Sequence, residues 1–228
     1  MIGLSRPAPR VAVLTLRTPP SEKMTFRPGQ YVMLIGNDGR PRPFSIANAP
    51  RLDRTIDLHV EKIDGGGYTT FVHEALGVGE IVQLEGPYGF FGLNESRRSA
   101  VFVAGGTGIA PIRAMLESMS ADGTDRAIRV YWGGRDLDGL YQVDEIQDIV
   151  SRFDGAQFVP ILSSPRNEDR WTGRVGRPHA AAIEDFADVT NTEVYACGST
   201  ALVGVTRREF FAQGLPKDRF FFDAFGVE

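Results

Sequence analysis

Residues 101–112 read VFVAGGTGIAPI, so an apolar run leads into Gly105, Gly106, Thr107 and Gly108 and then into Pro111. Glycines allow backbone amides to close on an anion, and a helix starting directly after them adds unpaired N–H groups and the positive end of its dipole. Pro111 suits the first turn of that helix, where its missing donor is not needed. The pattern is not GxGxxG, and standing alone it is equally a tight turn with no ligand.

Other stretches have similar double meanings. Residues 65–70, GGGYTT, put glycine amides and the hydroxyls of Thr69 and Thr70 where a helix starts, which suits a phosphate or, as readily, a flexible loop capped by threonine. Cys197 ends an apolar run and precedes Gly198 and Ser199; an isolated buried cysteine usually acts as a small hydrophobe. The histidines His59, His73 and His179 share no metal-ligand spacing, and no metal site is predicted. No Gly-x-Ser-x-Gly nucleophile motif occurs.

The elements that must position these residues follow from the hydrophobic rhythm. Up to about residue 98, short apolar or alternating runs (VAVLTLRT, QYVMLIG, TIDLHVEKI, EIVQLEG) are broken by Gly, Pro, Asn and Asp, which predicts an antiparallel β-barrel. Pro7 and Pro9 predict a shortened first strand. From Ser99 apolar runs alternate with helical patterns, which predicts a doubly wound α/β parallel sheet with ligands at the carboxyl ends of its strands. The expected domains are therefore 1–98 and 99–228, joined near the polar residues 95–99. The three phenylalanines 220–222 predict a buried final strand.

Composition narrows the partners. The 228 residues carry a formal net charge of −4, which offers no footprint for nucleic acid or an anionic membrane. No apolar run approaches a bilayer span, and the N-terminus lacks the apolar core of a secretory signal. With a single cysteine no internal disulfide or cysteine-ligated cluster can form, and a cytoplasmic location is expected.

Taken in order, RPFSIANAP (42–50), GPYGFFG (86–92), AGGTGIAPIRAML (104–116), YWGGR (131–135), YACGST (195–200) and FFFDAFG (220–226) resemble the ferredoxin-NADP reductase superfamily over nearly the whole chain. Within it the pattern is most similar to bacterial NAD(P)H-flavin reductases and oxygenase-reductase modules. The resemblance implies a flavin-binding barrel followed by a nicotinamide-nucleotide domain. In Arg42, Pro43, Phe44 and Ser45 it implies a phosphate partner, a ring contact and a hydrogen bond to the reactive flavin nitrogen. Phenylalanine at 44, where tyrosine is commoner, removes a hydroxyl from the ribityl chain. The alternative is that Phe44 and Ile46 are core and Arg42 is a solvated charge. It also implies that Leu58, His59 and Val60 meet the flavin's pyrimidine edge through their backbone, and that Gly66, Gly67, Tyr68, Thr69 and Thr70 form its phosphate turn. Gly86, Pro87 and Gly89 supply a turn, and Tyr88, Phe90 and Phe91 read chiefly as packing.

For the nucleotide, the resemblance places the diphosphate over Gly106, Thr107 and Gly108 and the nicotinamide beside Cys197 and Gly198, while Phe225 covers the free flavin face. Arg135 favours a 2'-phosphate and Asp136 a free ribose diol, so NADH and NADPH both remain open. Ser45, Cys197 and Phe225 are the expected catalytic group. The implied activity is hydride transfer from nicotinamide to FAD (or FMN or riboflavin) through proximity, and onward to an acceptor. That acceptor is free flavin itself or an oxygenase, ferredoxin or other iron-sulfur protein. The competing expectation is an FAD-binding electron-transfer subunit or fragment with little activity alone.

Overall fold

A computed structural model describes residues 1–22 and 24–226. The first half holds two three-stranded antiparallel sheets folded against each other. One has the order β1 (Gly3–Ala8), β2 (Val11–Arg17) and β5 (Thr55–Glu61), and the other has β4 (Pro41–Ser45), β3 (Tyr31–Ile35) and β6 (Gln83–Tyr88). A bridge from Ile46 to Leu58 joins them. Alternating side chains from both sheets, among them Leu14, Val32, Leu34, Ile56, Leu58 and Val60, fill one core, and helix α1 (Gly67–Glu74) closes it with Tyr68 and Val72. The expectation of a shortened first strand is corrected. β1 pairs with β2 through Gly3, Leu4, Ser5 and Ala8, and a register shift between Ser5 and Ala8 absorbs Pro7, which cannot donate to the ladder.

The second half is a six-stranded parallel sheet in the order β10-β9-β8-β7-β11-β12. Its strands are β7 (Ser99–Gly105), β8 (Ile128–Gly134), β9 (Gln157–Leu162), β10 (Arg174–Val175), β11 (Thr192–Ser199) and β12 (Phe220–Phe225). Helices α2 (Ile109–Asp122) and α3 (Val143–Val150) cover one face over Phe102, Trp132 and Tyr195, while α4 (Pro178–Glu184) and α5 (Thr200–Ala212) cover the other over Val103, Tyr131 and Ala196. The chain starts in mid-sheet at β7, winds outward to β10, and returns to add β11 and β12. The strand order therefore reverses between β7 and β11, where open α/β sheets bind ligands.

The final strand is an edge strand, which corrects the reading of 220–222 as buried. Phe220 is covered but Phe222 is 48% exposed, because β12 pairs only with β11. None of the described helices is long and apolar enough to cross a membrane.

Candidate active site between the two halves

At the reversal point two glycine turns lie back to back. A Cβ on Gly108 would stand 2.3 Å from the Cys197 carbonyl oxygen, so only glycine lets the β7 turn sit on the β11 turn. Gly106 has φ +54, and a Cβ there would meet only the Glu61 carboxylate, at 3.7 Å. Trp132 Nε1 donates to the Gly106 carbonyl at 2.9 Å. Thr107 is half-buried between these two glycines. On the neighbouring strand the Ser199 side chain caps α5 by accepting from the Leu202 amide at 3.2 Å.

Cys197 is fully buried, and burial, with the Asp223 charge adding to it, pushes its thiol well above the usual range. Its register partner on β12 is Asp223, and two residues on, Ser199 pairs with Phe225. Burial raises the Asp223 carboxyl, while the Ala224 backbone and the Ser45 hydroxyl partly hold it down. Ser45 belongs to the other half, so β4 meets the β11–β12 corner here. Ser45 Oγ is buried near enough to Asp223 to favour its carboxylate, yet makes no hydrogen bond of ordinary geometry.

Behind Ser45, β4 runs Phe44, Pro43, Arg42 beside β3, with Ser45 opposite Tyr31. The Arg42 guanidinium stacks 4.8 Å over the Tyr68 ring and binds Asp38 at 2.6 Å, and Phe44 stands 6.3 Å from Tyr68. Arg42 and the start of α1, with Gly66, Gly67 and Tyr68, thus share one corner, as a phosphate site requires. Thr69 takes the second of its two expected roles, closing the loop. Its hydroxyl is turned inward, accepting from the Ile63 amide at 3.1 Å and donating to the Gly66 carbonyl at 3.2 Å, so the turn uses it. Thr70 remains half-exposed.

The outer face of β5 carries Asp57, His59 and Glu61 toward the second half, while Leu58 and Val60 point into the barrel core. That leaves only the backbone of residues 58–60 for a ligand beside the barrel. His59 Nδ1 lies 2.7 Å from the Tyr141 hydroxyl. Burial, aided by the Arg113 charge, drops its pKa to about 3, so it is neutral. Next to it the buried Arg113 of α2 donates to the Ala47 carbonyl at 2.5 Å and also binds Glu145 and Glu117. Glu117 in turn accepts from the Ala49 amide at 2.9 Å. Arg113, Glu117, Tyr141 and Trp132 were not singled out from sequence. The one available signal was a lone arginine inside the apolar helix pattern PIRAML.

The described residues also frame an open cleft of about 360 Å³ between the halves, lined by Gly29, Tyr31, Gly89 and Phe91 on one side and Phe220 to Asp223 on the other. It adjoins the Ser45–Asp223 corner but contains none of the residues expected to bind cofactor. At the end of β8, Arg135 is exposed, and Asp136 lies 3.8 Å from the Arg166 guanidinium, which also binds Asp138 at 2.9 Å. His73 bonds the Val60 carbonyl at 3.0 Å, and among the described residues no group of His, Cys, Asp and Glu is arranged to hold a metal.

Residues 6–92 match the oxidoreductase FAD-binding domain and residues 102–208 the oxidoreductase NAD-binding domain. The chain is 37% identical over 94% of its length to a CDP-6-deoxy-L-threo-D-glycero-4-hexulose-3-dehydrase reductase of Yersinia pestis, of which it spans 64%. It is 32% identical over 90% of its length to an NAD(P)H-flavin reductase of Vibrio harveyi, of which it covers 89%. Among solved structures it superposes on the Amycolatopsis cytochrome P450 reductase GcoB with a TM-score of 0.90 at 27% identity, covering 98% of this chain and 68% of that one.

Proposed function

The chain belongs to the family of FAD- and NAD-binding oxidoreductases that includes the NAD(P)H-flavin reductases, and from that premise we propose that it catalyses hydride transfer from NADH or NADPH to a flavin held between its two halves. A bound flavin supplies the hydride acceptor, and the reduced nicotinamide supplies the donor. The observation that carries this reading is the meeting of Ser45, Cys197 and Asp223 at one corner. There Ser45 Oγ is buried without a hydrogen bond of ordinary geometry, with the Asp223 carboxyl as its neighbour, so its hydroxyl is free to turn to a ligand.

Each residue then has a physical task. Arg42 and the first-turn amides of α1 would hold the flavin phosphate. Phe44 packs the flavin ring, and the β5 backbone at 58–60 meets its pyrimidine edge. Gly106, Thr107 and Gly108 would hold the nucleotide diphosphate, Cys197 and Gly198 would supply a small flat seat for nicotinamide, and Phe225 would pack on the flavin. The thiol stays protonated, so Cys197 acts by shape. Holding the two rings in contact supplies the rate enhancement.

Electrons leave the flavin either as reduced free flavin or to an oxygenase or iron-sulfur partner. The first route is supported by similarity to the NAD(P)H-flavin reductase of Vibrio harveyi and the second by similarity, also 32%, to the phenol 2-monooxygenase reductase component DmpP of Pseudomonas. The single free thiol fits a cytoplasmic location. Purified protein given NADH or NADPH with FAD, FMN or riboflavin tests the reading. Loss of nicotinamide absorbance that depends on added flavin supports it. Bound flavin that neither nucleotide reduces favours an electron-transfer subunit instead.

A further inference from the structure

In this structure the nucleotide turn is braced from the flavin half. Trp132 is fully buried on the α2–α3 face of the sheet, and its Nε1–H reaches the Gly106 carbonyl at 2.9 Å. A trans peptide is planar, with its C=O and the following N–H pointing in opposite directions. The Gly106 carbonyl, shared between the indole and the Ile109 amide, therefore turns the Thr107 amide away from the buried indole. The orientation matters because Gly106, at φ +54, lies where a glycine peptide has alternatives close in energy.

The indole is itself held in place. Tyr141 meets it edge-on, with ring centroids 5.4 Å apart at 89°. The Tyr141 hydroxyl is fixed by His59 Nδ1 at 2.7 Å, and the two rings are 5.4 Å apart at 78°. His59 is 5% exposed, and its other ring nitrogen has no partner, so the bond to Tyr141 is the one polar tie that orients the imidazole. The series runs from β5 of the barrel, through His59, Tyr141 and Trp132, to the peptide that opens the glycine turn.

We propose that Trp132 is a positioning residue for nicotinamide-nucleotide binding, aiming the Thr107 amide at the diphosphate, and that the His59–Tyr141 pair keeps it there from across the domain boundary. The proposal rests on the assignment of the glycine turn to the nucleotide. Because the pair is buried and neutral, the brace stays in force through the physiological pH range.

Titration of the flavin-loaded protein with NAD+ and NADP+ by calorimetry separates the two levels. If the unaltered protein binds neither, the reading of the turn itself fails. If it binds, Trp132→Phe, which keeps an aromatic ring but removes the donor, is expected to weaken nucleotide binding about five- to tenfold, the worth of one hydrogen bond. Flavin affinity should stay within about twofold, because the brace aims only the nucleotide turn. Tyr141→Phe is expected to weaken binding about two- to threefold, a share of the same bond, and the double variant should bind no worse than Trp132→Phe alone, since both act through one carbonyl.

An independent readout uses the two indole N–H resonances. Trp171, which donates to the Arg174 carbonyl at 3.0 Å, is the internal control. Tyr141→Phe should speed hydrogen exchange at Trp132 and leave Trp171 unchanged, and this measurement carries the test if Trp132→Phe does not fold. Unaltered nucleotide affinity in Trp132→Phe, independent effects in the double variant, or unchanged exchange at Trp132 would overturn the proposal.

Discussion

Gly108 rests directly on the backbone of Cys197: a Cβ on the glycine would lie 2.3 Å from the cysteine carbonyl oxygen and 2.8 Å from the Gly198 amide nitrogen. The turn that follows β7 and the turn that follows β11 are thus one surface. Because the obstruction is backbone, Gly108→Ala is expected to destabilise the protein by about 3 kcal/mol or more, the upper range for overpacking. Denaturant unfolding checks this, and nucleotide binding should be lost with it.

Arg113 ties α2 to the barrel through the Ala47 carbonyl while facing Glu117 and Glu145, with Asp57 at 4.0 Å. Replacing it with methionine removes the partner of the Ala47 carbonyl and of the half-exposed Glu145, while Arg51 still pairs with Asp57 at 2.9 Å and Glu117 at 3.5 Å. A loss of about 1 to 3 kcal/mol in unfolding free energy is expected, the cost of leaving a buried acceptor without its donor.

The elements were more legible in the sequence than their joint surface. Alternating runs such as VAVLTLR and the strand-helix rhythm after Ser99 depend on local periodicity, which a single chain displays directly. The glycine turns and RPFS were legible because backbone approach and charge restrict residue type. Arg113 and Tyr141 were not, since their roles arise where the second half meets the barrel at Ala47 and His59, more than 50 residues away in the chain. For Thr69 the sequence left a phosphate role and a threonine-capped loop open, and the hydroxyl is taken by the loop it closes over Ile63. In the same way the run 220–222 looks buried by composition, and only the strand order shows that β12 is an edge.

His59 gives a pH signature. Its folded pKa, about 3, lies below the ordinary 6.5, so between those values the unfolded chain binds the extra proton. Stability should therefore fall as pH drops from about 6.5 toward 3, with this residue contributing at most about 1.4 kcal/mol per pH unit. His59→Gln should flatten the acid limb of a plot of unfolding midpoint against pH. An unchanged slope would place the acid sensitivity elsewhere.

Asp223 has the opposite sign. Its carboxyl is raised by burial, so its favourable share is present at acid pH and fades as pH rises through the elevated value. Asp223→Asn is expected to raise the unfolding midpoint at neutral pH while leaving it nearly unchanged at pH values below the ordinary carboxylate range. Thermal unfolding at two pH values tests this.

Cys197 is fully buried with its thiol pushed up, so iodoacetamide should modify it slowly in the folded protein and rapidly after denaturation. Cys197→Ala opens a gap in the nicotinamide seat, and misplacement of the ring should lower turnover about tenfold or more with little change in flavin affinity. Turnover equal to that of the unaltered protein would remove the residue from the site.

The claim on which the rest depends is that nicotinamide and flavin meet between Ser45 and Cys197. Its most direct test is anaerobic stopped-flow reduction of the flavin-loaded protein, comparing ordinary nucleotide with nucleotide deuterated at the ring carbon that gives up hydride. The expected result is bleaching of the flavin absorbance at a rate that saturates with nucleotide and slows several-fold on deuteration. Flavin that stays oxidised, or bleaching that neither saturates nor responds to deuterium, would contradict it.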